Sequence, residues 1–206
     1  EVQLNWRQAV KSFDNKKSIP TKDFQTIIES IRLSPSSMGL QPWKLLVIKS
    51  NEVKQKLANT TPANRTKFET APCILIFARL NQLTPEYINR HIDFVKQVRM
   101  QTEDDVAPLY RMLSSKLKLA KGDFNNWTSK QTYIALGSGI MSAALLHIDT
   151  CPMEGINAAA FDEILGLSDS PYSTTVALAL GYRSQNAPGA QLRKVRYSEN
   201  QIVQMI

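Results

Sequence analysis

Apolar positions recur along the chain at two spacings. Phe24, Ile27, Ile28 and Ile31 follow the three-to-four-residue period of a helix that buries one face. Pro20-Thr21 opens that helix, with Thr21 as the expected N-cap, and the turn-forming run Leu33-Ser34-Pro35-Ser36-Ser37-Met38-Gly39 ends it. Trp43–Ile48, Ile74–Ala78 and Thr174–Leu180 are short continuous apolar runs of strand length. The last is apolar enough to predict a central strand covered on both sides. Leu4–Lys11 reads as a short helix, Asn51 as the cap of a helix reaching about Asn59, and Phe161–Leu167 as a short helix stopping near Gly166. Pro85–Leu119 reads as irregular helix broken near Pro108. Asn126–His147 carries apolar residues on nearly every face, which predicts burial all round. Gly137, Ser138, Gly139, Ser142, Ala143 and Ala144 within it leave room for another helix. The tail from Ser184 is too polar for a core element. The sum is an α+β or α/β fold, expected as a single domain over residues 1–206.

Composition narrows the classes. With 43% hydrophobic and 21% charged residues, the chain reads as an ordinary globular protein. No apolar stretch approaches the roughly 20 residues of a membrane helix. Glu1-Val2-Gln3-Leu4-Asn5 lacks the pattern of a signal peptide, and two cysteines are too few for a disulfide scaffold, so the cytoplasm is the expected compartment. The net charge of +7 fits a solvated basic surface or a site for anions. No zinc-finger spacing, aromatic RNA-binding motif or long basic tract points to nucleic acid.

The usual catalytic signatures are absent, among them G-x-S-x-G, H-E-x-x-H, the P-loop and G-x-G-x-x-G. His91 and His147 have no partner in register and read as structural. An enzyme with this sequence needs a cofactor to carry its chemistry and no metal.

Four stretches, in this order, resemble one family. They are Arg7-Gln8-Ala9-Val10-Lys11-Ser12-Phe13-Asp14 and Ser34-Pro35-Ser36-Ser37-Met38-Gly39-Leu40-Gln41-Pro42-Trp43. Next comes Cys151-Pro152-Met153-Glu154-Gly155 with Leu165-Gly166-Leu167 and Ala179-Leu180-Gly181-Tyr182-Arg183, and last Lys194-Val195-Arg196. Order and spacing look like the oxygen-insensitive NAD(P)H nitroreductases, which are FMN-containing homodimers. The resemblance spans about Arg7 to Arg196 and is weak between Asn81 and Asn125.

It implies an α+β fold with a central, mostly antiparallel sheet flanked by helices. It also implies an intertwined homodimer built on Asn126–His147, its C-terminal arms exchanged. Arg7, Lys194 and Arg196 match the basic residues on the FMN phosphate. Lys11 and Lys67 match lysines at the pyrimidine edge of the flavin, and Asn64 a side chain on the same ring. Ser36 and Ser37 fall on a loop that reaches the flavin from the other subunit, Gly39 stands at a flavin-contacting position, and Gln41, at the start of the next strand, lines the site or fixes the loop. Pro152-Met153-Glu154-Gly155 matches the loop whose backbone N–H meets the flavin N5, with Glu154 fixing the loop and Gly155 permitting close approach. Glu154, Gly155, Lys11 and Lys67 are thus the residues nearest the chemistry.

The chain departs from the family at Gln8 and Ala9, where a basic residue and a serine are common, and at Gly39, where an Asn is common. Met38 and Leu113 fall at substrate-contacting positions and suggest an apolar pocket. The implied activity is ping-pong, two-electron reduction of nitroaromatics, quinones or similar flat small-molecule acceptors by NADH or NADPH. A same-fold flavoenzyme with another reaction, such as reductive dehalogenation or flavin breakdown, and a non-catalytic basic binding module are the alternatives.

Overall fold

Four antiparallel strands form the centre of the molecule in the order β1-β2-β4-β3. They are β1 (Trp43–Ile48), β2 (Cys73–Leu80), β3 (Asp149–Met153) and β4 (Tyr172–Gly181). The computed structural model describes all 206 residues. Around the sheet lie α1 (Val2–Trp6), α2 (Thr21–Arg32), α3 (Asn51–Asn59), α4 (Arg65–Thr70), α5 (Pro85–Arg99), α6 (Glu103–Ser115), α7 (Lys121–Leu145), α8 (Ala158–Ile164) and α9 (Glu199–Ile202).

The two inner strands show why their sequences are continuously apolar. Cys73, Leu75 and Phe77 of β2 and Val176, Leu178 and Leu180 of β4 pack against Phe24, Ile27 and Ile31 of α2 and Ala135, Leu136 and Ala143 of α7. Alternate residues Ile74, Ile76, Ala177 and Ala179 point the other way, onto Leu57 and Ala58 of α3, Phe68 of α4 and Phe161 of α8. A strand covered on both faces has no polar side. A third cluster, Leu40, Leu80, Leu83, Ile88, Ile92, Val106, Leu113 and Phe124, roots α5 and α6 beside the sheet. Leu113 is fully buried in it as a core side chain, where the sequence suggested a pocket wall.

Several expected boundaries move. Residues 7–10 are extended rather than helical, with a bend at Lys11-Ser12: the Val10 N–H donates to the Thr150 carbonyl at 3.0 Å, and Ala9 bridges Thr150 in parallel. This tertiary pairing overrides local helix propensity. Pro20, not Thr21, precedes the first turn of α2. Ser50, not Asn51, caps α3, accepting from the Val53 N–H. Pro108 lies inside α6; the break comes at Met100, in the left-handed conformation at φ 55°, followed by the Thr102–Asp105 capping box. α8 begins earlier than expected, at an Asn157 cap, and closes on Gly166 at φ 68°. There the Leu167 N–H reaches the Asp162 carbonyl and the Gly166 N–H the Glu163 carbonyl, the paired bonds of a Schellman end.

Asp149–Met153 is a strand rather than part of a turn, and only Glu154-Gly155 belongs to the loop that follows. Pro152 is tolerated because β3 is an edge strand, where a missing N–H costs no ladder bond. In the single chain α7 is not buried all round: Gly139 lies against Ile31 of α2, while Tyr133, Ile134, Met141 and Leu145 are exposed on another face.

Candidate flavin site

Two groups of cations stand at the ends of one extended segment. The first joins the chain's two ends. Half-buried Arg7 lies close enough to Arg196 that burial, then this like charge, pulls its pKa down. Lys194 is held down by burial and by both arginines. Its Nζ donates to the Leu4 carbonyl, and Gln8 Nε2 donates to the Leu192 carbonyl at 3.1 Å, so the tail is tied to the N-terminal segment. Ala9 contributes only its main-chain bridge to β3.

The second group lies beside the end of β3. Lys11 Nζ is 4.0 Å from Cys151 Sγ, and Lys67 Nζ donates to Asn64 Oδ1 at 2.9 Å and the Ala63 carbonyl at 3.1 Å. Burial lowers the Lys67 pKa; Cys151 pulls it up and Lys11 pushes it further down. Asn64 Nδ2 and Thr61 Oγ1 both donate to the Gly155 carbonyl, at 2.7 and 2.9 Å. With its carbonyl turned inward on two donors, the exposed 154–155 loop is fixed from the side of α4. From α7, Tyr133 Oη donates to Glu154 Oε1 at 2.6 Å, and its pKa is pushed up to about 12 by burial and by this carboxylate. Met153 is buried in the core and Pro152 half-buried, so these two offer main chain rather than side chain.

From Arg7 to Lys11 the extended backbone reaches about 13 Å. None of the ion pairs in the molecule involves Arg7, Lys11, Lys67, Lys194 or Arg196. Converging cations without a carboxylate raise the energy of the folded chain unless an anion joins them. One group suits a phosphate and the other the electron-rich edge of a ring, which is the donor set that FMN requires.

Ser36, Ser37, Gly39 and Gln41 form a separate unit. Met38, Gly39 and Gln41 all have positive φ, of 57°, 64° and 48°. For Met and Gln this is strained, and the surroundings hold it in place. The Ser37 N–H donates to Gln131 Oε1 at 2.8 Å, the Gln41 N–H to Ser36 Oγ at 2.9 Å, and Gln41 Nε2 to the Arg32 carbonyl at 2.6 Å. No hydrogen bond links this loop to Lys11, Lys67 or Gly155 in the same chain.

Sequence reasoning missed Thr61, Tyr133 and Gln131. Gln131 had a signal, a polar residue amid the apolar positions of α7 that needs a partner once buried. Tyr133 and Thr61 had none, because their partners lie far along the chain. No group of His, Cys, Asp and Glu side chains is placed to hold a metal, and no helix is long and apolar enough to cross a membrane.

Known proteins extend the picture. A Staphylococcus aureus protein, provisionally named an NAD(P)H nitroreductase, is 36% identical over 199 residues, covering 93% of this chain and 89% of that one. A Staphylococcus epidermidis structure, provisionally named an NAD(P)H:FMN oxidoreductase, superposes with a TM-score of 0.86 at 24% identity, covering 100% of this chain and 94% of that one. A structure from Exiguobacterium sibiricum, provisionally named a nitroreductase and in complex with FMN, gives 0.84 at 19% identity, covering 99% and 95%. At these identities the two structures speak for the α+β fold. Residues 4–182 match the Nitroreductase family, and the chain belongs to it.

Proposed function

We propose that the protein reduces flat, electrophilic small molecules such as nitroaromatics or quinones, taking electrons from NADH or NADPH by a ping-pong route. As a nitroreductase-family member it is an NAD(P)H-dependent flavin oxidoreductase with FMN as its cofactor. The observation that carries the site reading is the pair of cation groups without carboxylates, spaced along residues 7–11.

Bound FMN supplies two-electron transfer chemistry that no side chain here offers. Arg7, Lys194 and Arg196 bind the phosphate. Lys11 and Lys67 place positive charge at the ring edge, and Asn64 fixes Lys67. Gly155 presents its loop with the carbonyl pinned by Thr61 and Asn64, while Tyr133 holds Glu154 aside. No residue acts as nucleophile. For a nitro acceptor the balance is one NAD(P)H and one proton in, and NAD(P)⁺, a nitroso compound and water out.

The working unit is a homodimer, in which Ser36, Ser37, Gly39 and Gln41 approach the partner's flavin and the C-terminal arm crosses over. Supporting this are the exposed Tyr133, Ile134, Met141 and Leu145 of α7 and an arm that leaves Val195, Tyr197, Ile202, Val203, Met205 and Ile206 in solvent. The test is an absorbance scan of the purified protein, then anaerobic addition of NADH or NADPH, then turnover with a quinone. A yellow protein bleached by the nucleotide and re-oxidised by the quinone is expected. A colourless protein that takes up no added FMN overturns the reading.

A further inference from the structure

Beside the strained loop is a second, unassigned feature, a hollow of about 460 Å³ walled by Met38, Phe94, Val95, Val98 and Leu109. Its volume is in the range of small-molecule sites. His91 and Arg99 complete the lining. His91 Nε2 is buried without a hydrogen-bond partner. Arg99, in the last turn of α5, makes no ion pair and no side-chain hydrogen bond, and it lies near enough to His91 to act on its charge. Of the acids near it in sequence, Asp93 and Glu103 pair with Lys96 and Asp105 is held by Thr102, while Asp104 makes no ion pair, with Arg99 or with any other residue.

We propose that this hollow selects electron acceptors with an apolar body and a carboxylate, the carboxylate pairing with Arg99 and the body lying along Phe94, Val98 and Leu109. The proposal rests on the flavin reading above, through which Met38 and Gly39 border the place where an acceptor is reduced. An unpaired guanidinium at the mouth of an apolar site discriminates by charge. It accepts a carboxylate in fork geometry and leaves an isosteric ester without its partner.

The probes are 4-nitrobenzoate and its methyl ester. With the FMN-loaded enzyme, kcat/KM should favour the acid, and Arg99→Gln should cut the acid-to-ester ratio at least fivefold while leaving the ester alone. Arg90→Gln, on the same helix with its guanidinium stacked 4.8 Å over the Tyr87 ring, controls for the overall positive charge and should leave the ratio unchanged. Calorimetric titration of 4-nitrobenzoate into the FMN-loaded protein without NAD(P)H reads binding apart from turnover and should weaken by the same factor in Arg99→Gln. An identical ratio in wild type and Arg99→Gln, or an equal fall in Arg90→Gln, overturns the proposal while the flavin reading stands. Failure to reduce either compound counts against the flavin reading, and the titration then still decides the hollow.

Discussion

The two cation groups are built by opposite means. Around Gly155 side chains of the scaffold fix the loop: Thr61 and Asn64 donate to the Gly155 carbonyl, Lys67 donates to Asn64, and Tyr133 donates to Glu154. Around Arg196 the chain is exposed, and its ties are a Lys194 bond to the Leu4 carbonyl and a Gln8 bond to the Leu192 carbonyl. The inner group is preorganised; the outer one is shaped by charge and completed by an anion. On the proposed reading this is a division of labour, in which the outer group would set how tightly the cofactor is held and the inner group how the held cofactor behaves.

The largest test removes the outer group. Arg196→Ala should weaken FMN at least tenfold by equilibrium dialysis, about 1.4 kcal/mol, and Arg7→Ala with Arg196→Ala should cost more. Because Arg196 is exposed and Arg7 only half-buried, raising the salt should weaken wild-type binding and shrink the difference from the variants. Unchanged affinity in Arg196→Ala removes that residue from the site.

Next, Lys67→Met should lower the reduction potential of the bound flavin by about 30 mV or more, equivalent to about 1.4 kcal/mol for two electrons, with little loss of affinity. The same variant separates function from stability. The Lys67 pKa is depressed below 10.5, so the unfolded chain binds the proton more tightly. This penalty is present in full at neutral pH and is relieved as pH rises towards 10.5. Cofactor-free wild type should therefore gain stability relative to Lys67→Met as pH is raised from 7 to 10. Urea melts at the two pH values check the sign.

A smaller effect is expected of Asn64→Ala, which removes the links to Gly155 and Lys67 and should cost the cofactor-free protein about 1 kcal/mol in urea. Arg196→Ala should cost it almost nothing. Equal losses would erase the contrast between the groups. Smallest of all, Tyr133→Phe should lower kcat/KM by about threefold or less, since it frees a carboxylate that is already exposed.

The sequence spoke most clearly where physics is local or repeated. β2 and β4 were legible because both faces of each are covered, and the end of α8 because Gly166 takes a left-handed conformation that glycine adopts without strain. β3 was not, being five residues long with Pro152 among them. The segment 7–13 was misread because its structure comes from Thr150, far along the chain. The break at Met100 carries no local sign, since a methionine rarely takes a left-handed turn. Arg7, Lys11, Lys67 and Arg196 drew attention only through family resemblance. Their shared want of a carboxylate is a property of the folded chain.

Edge geometry has a last consequence, for handling the protein. β3's outer side is partly occupied by residues 9–10 and interrupted by Pro152, but in the single chain β1 has a strand partner only in β2, and beyond the Trp43 N–H, which donates to the Gln41 carbonyl, no strand pairs with its other side. Such an edge recruits strands from any chain nearby, so thermal inactivation should follow second-order kinetics and clump irreversibly. A charge placed on the exposed face of that strand, as in Val47→Lys, is where a more heat-tolerant preparation begins.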